Sequence, residues 1–184
     1  MKAIFIIIFI LIISVSLMGN WVELNQQQPM FECEQLTRSD AEVGFSIAGF
    51  ELEEKDYAGV KYWAIDHPEA GELLEIGMPD VPVFTKALII PDQGTASLSI
   101  ISYDQKVFED VVVYPQEQMQ RDNESARDRF AIDDQFYRGN SVFPAEIVWT
   151  GDPAIMRDFR ILPVTFSPFQ YDAAKRILTV YYNI

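Results

Sequence analysis

The chain is short of the side chains that enzymes most often use. One cysteine, Cys33, and one histidine, His67, occur in 184 residues. A lone thiol closes no internal disulfide; in an exported protein it pairs between chains or, the reading preferred here, is tucked away as a small residue. A Cys33–His67 nucleophile and base would need an activated thiolate and an orienting group. The polar stretch MFECEQLTRSD around Cys33 offers neither. Two soft ligands also fall short of the three or four that zinc takes. Positive charge is scarce as well, with 14 Lys+Arg against 28 Asp+Glu and a formal net charge of −14. Phosphate recognition needs a basic face, so nucleic acid is not an expected partner. Such an acidic balance ordinarily serves to keep a domain soluble.

Long apolar runs are absent except at the start. After Lys2 comes AIFIIIFILII (3–13), followed by Ser14-Val15-Ser16. The run is shorter than the about 20 residues a membrane span needs and fits the core of a secretory signal peptide. Residues 1–19 are therefore expected to be a signal peptide, cleaved after Ser16 or after Gly19; the alternative is an uncleaved anchor. No lipid-attachment cysteine follows. Cleavage removes Lys2 and leaves 13 basic against 28 acidic residues, in a chain expected to be exported to the periplasm or the medium and free of the membrane.

What remains suits one domain, long enough to bury roughly 70% of its unfolded surface. Hydrophobic residues at 49% and aromatics at 13% place it with folded chains and not disordered ones. Residues 20–42 are Gln-rich and weakly patterned, a leader that either pairs late or stays loose, and 43–184 form the domain proper. From Val43 the pattern is that of strands: VGFSIAGF (43–50) and GVKYWAI (59–65), with ELEEKDYA between them. VFTKALII (83–90) and TASLSIIS (95–102), separated by Pro91–Gly94, read as a hairpin, and KVFEDVVVY (106–114) follows at the same spacing. AEIVWT (145–150), MRDFRILPVTF (156–166) and RILTVYYNI (176–184) complete the set. The predicted fold is an all-β, antiparallel, jelly-roll-like β-sandwich of about eight to ten strands. Residues 115–143 break the rhythm with a long charged insert, a loop or short helix, and inserts of that length are commonly functional. Its DNESARD lacks the glycine of a calcium-binding EF-hand loop. No cofactor or metal is expected.

The stretch GMPDVPVFTKALIIP (77–91) sets two prolines ahead of a strand and one after it. Proline fixes φ and donates no backbone hydrogen bond, so Pro79 and Pro82 mark an extended approach and Pro91 a close. This stretch also opens a series. Gly77-x-Pro79-x-Val81-Pro82 and Ile89-Ile90-Pro91 are followed by Tyr114-Pro115 ahead of the charged insert. Phe136-Tyr137, Phe143-Pro144-Ala145-Glu146, Arg157-Asp158-Phe159-Arg160-Ile161, Leu162-Pro163-Val164-x-Phe166-x-Pro168 and Leu178-x-Val180-Tyr181 come after it. In that order they resemble the N-terminal propeptide domain of gingipain-type cysteine peptidases, closely over Gly77–Ile184 and loosely over Val43–Ile76. Val81 stands where that family usually carries Leu.

The resemblance implies a secreted prodomain that assists folding of a cysteine peptidase and keeps it latent, pressing a loop with a basic side chain into the active-site cleft. The partner would be the cognate catalytic domain. That domain, with its Cys and His, is expected to lie outside this sequence, the chain being a fragment of a longer zymogen and not itself an enzyme. A free-standing inhibitor or chaperone and a sandwich that has lost the role are the other possibilities. The insert carries Arg121, Arg127 and Arg129, and guanidinium suits an acidic pocket through bidentate bonding. Arg127 is the central one. Ordinary surface pairing with the neighbouring acids Asp122, Glu124, Asp128, Asp133 and Asp134 is the plainer account of the same residues. From a different class stands an exported carbohydrate- or surface-binding module, with Tyr62, Trp63, Trp149, Tyr181 and Tyr182 as its aromatic platform.

Overall fold

The computed structural model describes residues 20–24, 30–118 and 129–184. The signal-peptide segment 1–19, Gln26–Gln28, and the part of the insert holding Arg121 and Arg127 lie outside the described residues.

The described residues are all-β with antiparallel ladders. β1 (Asn20–Glu23), β4 (Gly49–Tyr57) and β5 (Val60–Asp66) form one sheet in the order β1-β4-β5. β2 (Phe31–Gln35) and β3 (Ala41–Phe45) form a two-stranded ribbon. The third sheet takes β6 (Gly71–Glu72), β7 (Pro82–Ile90), β10 (Val148–Thr150), β11 (Ala154–Met156) and β12 (Phe159–Phe166) in the order β10-β12-β7-β6, with β11 also on β12. The fourth is β8-β14-β13-β9, from β8 (Asp104–Phe108), β9 (Val142–Phe143), β13 (Phe169–Asp172) and β14 (Ile177–Tyr182). Among the described residues the short helix α1 (Asp134–Tyr137) is capped by Asp133, whose Oδ1 accepts the Phe136 N–H at 2.8 Å. The strands outnumber the eight to ten expected because several are two- or three-residue edge pieces with no pattern long enough to read.

Two local expectations are corrected. ELEEKDY belongs to β4, which turns into β5 through Ala58 and Gly59, both at positive φ (52° and 80°). That is the geometry of a two-residue hairpin, and the Gly59 N–H also reaches Asp56 Oδ1. Second, β7 does not pair with 95–102, which holds no strand. It pairs with β12, from Phe84↔Phe166 to Ile90↔Arg160. Phe166, Val164 and Leu162 are buried there, whereas 95–102 is exposed throughout. Burial between distant strands outweighs the nearness of a turn. The leader 20–42 contributes β1 and β2, which pair with β4 and β3.

Pro163 lies inside β12, an unusual place for proline. Its carbonyl accepts the Gly151 N–H at 2.9 Å, and a residue's N and O face the same side of an antiparallel strand. The missing donor therefore faces the gap between β10 and β11, where residues 151–153 leave the ladder.

Phe45 is a centre of the core. Its ring stacks on Phe166 at 4.8 Å and touches Phe31 and Phe84, both at 5.1 Å. Phe50 does the same for the fourth sheet, edge-on to Phe169 at 5.0 Å and Phe108 at 5.9 Å. Each such ring contributes about 1.5–3 kcal/mol by burial. Phe45 also exchanges two backbone hydrogen bonds of 2.9 Å with Ile184, which fastens the last residue to β3.

The register fixes the other face of the β7–β12 sheet. Trp149, Thr165 and Thr85 share one row, Pro163 and Ala87 the next, then Ala154, Ile161 and Ile89, then Met156 and Phe159. No charged residue occurs in these rows.

Candidate functional site at the root of the charged insert

The insert leaves the domain at Tyr114–Gln118 and returns at Arg129–Asp133. Both stems are held by the approach segment to β7. Gly77 donates its N–H to Gln116 O (2.9 Å) and its carbonyl accepts the Asp133 N–H (2.9 Å), so one residue grips both stems. Gln116 N bonds Met78 O at 2.7 Å and Asp80 N bonds Tyr114 O at 2.8 Å. Gly77 sits at φ +84°, and a Cβ there would lie 3.0 Å from Asp133 N. Both the conformation and the space require glycine.

Just beyond, the stems meet each other. Gln118 N donates to Arg129 O at 2.9 Å. Glu117 carries two contacts: Oε2 lies 3.3 Å from Arg129 Nη1, and Oε1 accepts the Tyr114 hydroxyl at 2.8 Å. Burial and this hydrogen bond raise the Tyr114 pKa far above its ordinary value, so the phenol stays protonated and donating. Phe130 stacks on Tyr57 at 3.6 Å and meets the edges of Tyr62 and Tyr114 at 5.6 and 5.7 Å. Lys55 Nζ stands 4.7 Å above the Tyr114 ring.

A cavity of about 730 Å³ opens beside the clamp, lined by Lys55, Glu72, Leu74, Ile76, Asp80 and Tyr114 with Gln116–Gln118 and Arg129. Burial, and then the Glu72 charge, push the Asp80 carboxyl up to about 6, against the opposing pull of Lys55. Arg129 Nε and Gln116 Oε1 are buried without a hydrogen-bond partner in the described structure.

Of the three sequence-predicted arginines, Arg129 is thus part of the root, half-buried and paired with Glu117, while Arg121 and Arg127 belong to the part outside the described residues. The roles of Gly77, Glu117, Phe130 and Asp80 were not read from the sequence. In the sequence Gly77 belongs to an approach segment; its two backbone hydrogen bonds, one to each stem, make it a clamp. Cys33 is not tucked away as expected but exposed on β2, opposite Val43. His67 is buried, edge-on to Phe84 at 5.0 Å, with Nδ1 accepting the Glu69 N–H; its burial lowers its pKa. Among the described residues no group of three or more His, Cys, Asp or Glu is placed to hold a metal ion, and no helix is long and apolar enough to cross a membrane.

These features define an antiparallel all-β domain with a charged insert on a doubly gripped root. The Propeptide_C25 family model matches residues 26–184, and the chain belongs to that family. It is 30% identical over 118 residues to Gingipain R1 of Porphyromonas gingivalis, which covers 64% of this chain and 12% of that protein. With Lys-gingipain HG66 of the same organism it shares 22% identity over 169 residues, 89% of this chain and 10% of that protein. The chain therefore spans a small part of the length of these relatives. Two solved structures share its fold. A complex of Porphyromonas gingivalis RgpB pro- and mature domains matches with a TM-score of 0.76 at 22% identity, over 85% of this chain and 81% of that one. A structure addressing the zymogenic latency of gingipain K from Porphyromonas gingivalis matches with a TM-score of 0.73 at 21% identity, over 89% and 93%.

Proposed function

We propose that the chain is the prodomain of an exported gingipain-type cysteine endopeptidase, a folding assistant and latency inhibitor whose charged insert occludes the active-site cleft of the catalytic domain. It performs no peptide hydrolysis itself; that chemistry belongs to the cognate catalytic domain. The observation that carries the reading is the root: Gly77 grips both stems, and Glu117, Tyr114 and Arg129 close them. A peptide segment pressed against a protease must be held in one geometry, because ordering it on binding costs affinity. Arg129 is a positioning residue, committed to Glu117. The cleft-filling role falls to Arg121 or Arg127, with Arg127 preferred as the middle one of the three arginines. Residues 1–19 direct export and are removed.

Tethering makes modest contacts sufficient. An effective concentration on the order of millimolar keeps even micromolar binding nearly complete until the connection is cut. The aromatic-platform alternative is not favoured. Tyr62 is buried, and Trp63, Trp149, Tyr181 and Tyr182 are half-buried on three different strands instead of forming one exposed row.

The test is titration of the chain against gingipain-type catalytic domains of arginine and lysine preference, with Arg121→Ala, Arg127→Ala and Arg129→Ala alongside. Saturable inhibition is expected, abolished by one of the first two substitutions and only weakened by the third. Folded chain that leaves both enzymes fully active at micromolar concentration overturns the proposal.

A further inference from the structure

The outward face of the β7–β12 sheet departs from the usual pattern. An antiparallel sheet packed on one side ordinarily alternates apolar inward with polar outward. Here the inward side is occupied by Phe84, Leu162, Val164 and Phe166, yet the opposite side is also apolar. Ile89 is 68% exposed, Met156 62% and Phe159 55%, next to exposed Ala87 and Ala154. The ladder places Ile89 beside Ile161, with Met156 and Phe159 paired in the adjacent row, so these side chains form one patch and not scattered singles. A contiguous exposed apolar patch on a folded domain marks an interaction site.

Charge narrows what covers it. The chain holds 28 acidic residues, and none falls on these rows. A neutral apolar surface fits against the patch, whereas a second copy would bring two bodies of net charge −14 face to face. We propose that this sheet face, around Ile89, Met156 and Phe159, is a second docking surface for an apolar, uncharged patch of the peptidase catalytic domain, distinct from the insert and its root. The inference rests on the prodomain reading and adds to it. The insert fills the cleft, and the sheet face supplies affinity that does not depend on the cleft. The two contributions are separable because the face consists of rigid ladder positions in β7, β11 and β12, with no residue shared with the Gly77–Glu117–Arg129 root.

The experiment measures binding and inhibition of the gingipain-type catalytic domain that the wild-type chain inhibits, using Ile89→Asp, Phe159→Asp and, at the root, Arg129→Ala. The two face positions are exposed, so the variants are expected to keep the wild-type unfolding midpoint. Ile89→Lys serves as a second substitution should Ile89→Asp fail to fold. Weakening of binding by roughly tenfold or more for each face variant, retained when the active site is blocked, supports the proposal. Unchanged binding by both folded face variants overturns it and leaves the prodomain reading standing. A wild-type chain that binds no gingipain-type domain sinks that reading itself. A wild-type dimer dissociated by Phe159→Asp assigns the face to a second copy and overturns the proposal.

Discussion

At the scale of single residues, the root of the insert is held by groups that are costly to bury. Asp80 lies in the cavity wall near Glu72 and Glu117, with Lys55 as the opposing charge. Its folded pKa of about 6 stands above the ordinary 3.8, so the folded chain binds this proton more tightly than the unfolded chain. Stability from this group is therefore fully present below about pH 4, declines as pH rises from about 4 to 6, and levels off above that. Asp80→Asn removes the dependence. Urea unfolding should find it more stable than wild type by up to about 3 kcal/mol at about pH 7.5 and equal to it near pH 4. A gap of the same size at both pH values refutes this account of Asp80. Arg129→Ala leaves the half-buried Glu117 carboxylate without its cation and should cost about 1–3 kcal/mol in the same assay. Glu117→Gln with Arg129→Ala should recover part of that loss, since the uncompensated charge is gone.

At the scale of elements, the decisive piece is the approach to β7. Gly77→Ala forces a side chain into a left-handed conformation and against Asp133 N. It should lower stability by about 1–3 kcal/mol. Amide exchange at Asp133 and Gly77 should rise by more than at β7 and β12, because the grip on the stems is lost locally. The all-β class, the extent of β7, the continuity of β14 and the proline-delimited approach were legible because β-branched alternation bounded by proline marks strands well. The partners of those strands were not. The pairing of β7 with β12 joins residues about 75 positions apart and is decided by Phe84, Phe166 and Leu162 packing under Phe45. Likewise ELEEKDY shows no apolar alternation, and its strand is set by the Ala58-Gly59 turn and by β1 on its other edge. For the site, the sequence placed arginines in the insert but gave no means of telling a clamp from a plug. The Glu117–Arg129 pair is a tertiary fact, formed across the whole insert.

For the whole molecule, the two proposed contacts divide the work of a latency domain. In this proposal the insert, rooted on Gly77, addresses the cleft, while the apolar sheet face shares no residue with that root and has no charged residue in its rows, in a chain of net −14. The high negative charge belongs to the remaining surface, where it favours solubility. Such a division predicts that salt acts weakly on the sheet-face contribution. Raising ionic strength from about 0.05 to 0.5 M should change the affinity of an Arg121→Ala, Arg127→Ala chain by less than about threefold, since apolar contacts are not screened. The central claim is that the chain occupies the cleft of its peptidase. It is tested most directly by measuring affinity for a catalytic domain before and after its active-site cysteine is capped with a covalent peptide inhibitor. Loss of roughly tenfold or more in affinity on capping, with the arginine variants losing less, is the result this account predicts. Identical affinity for open and capped enzyme would contradict it.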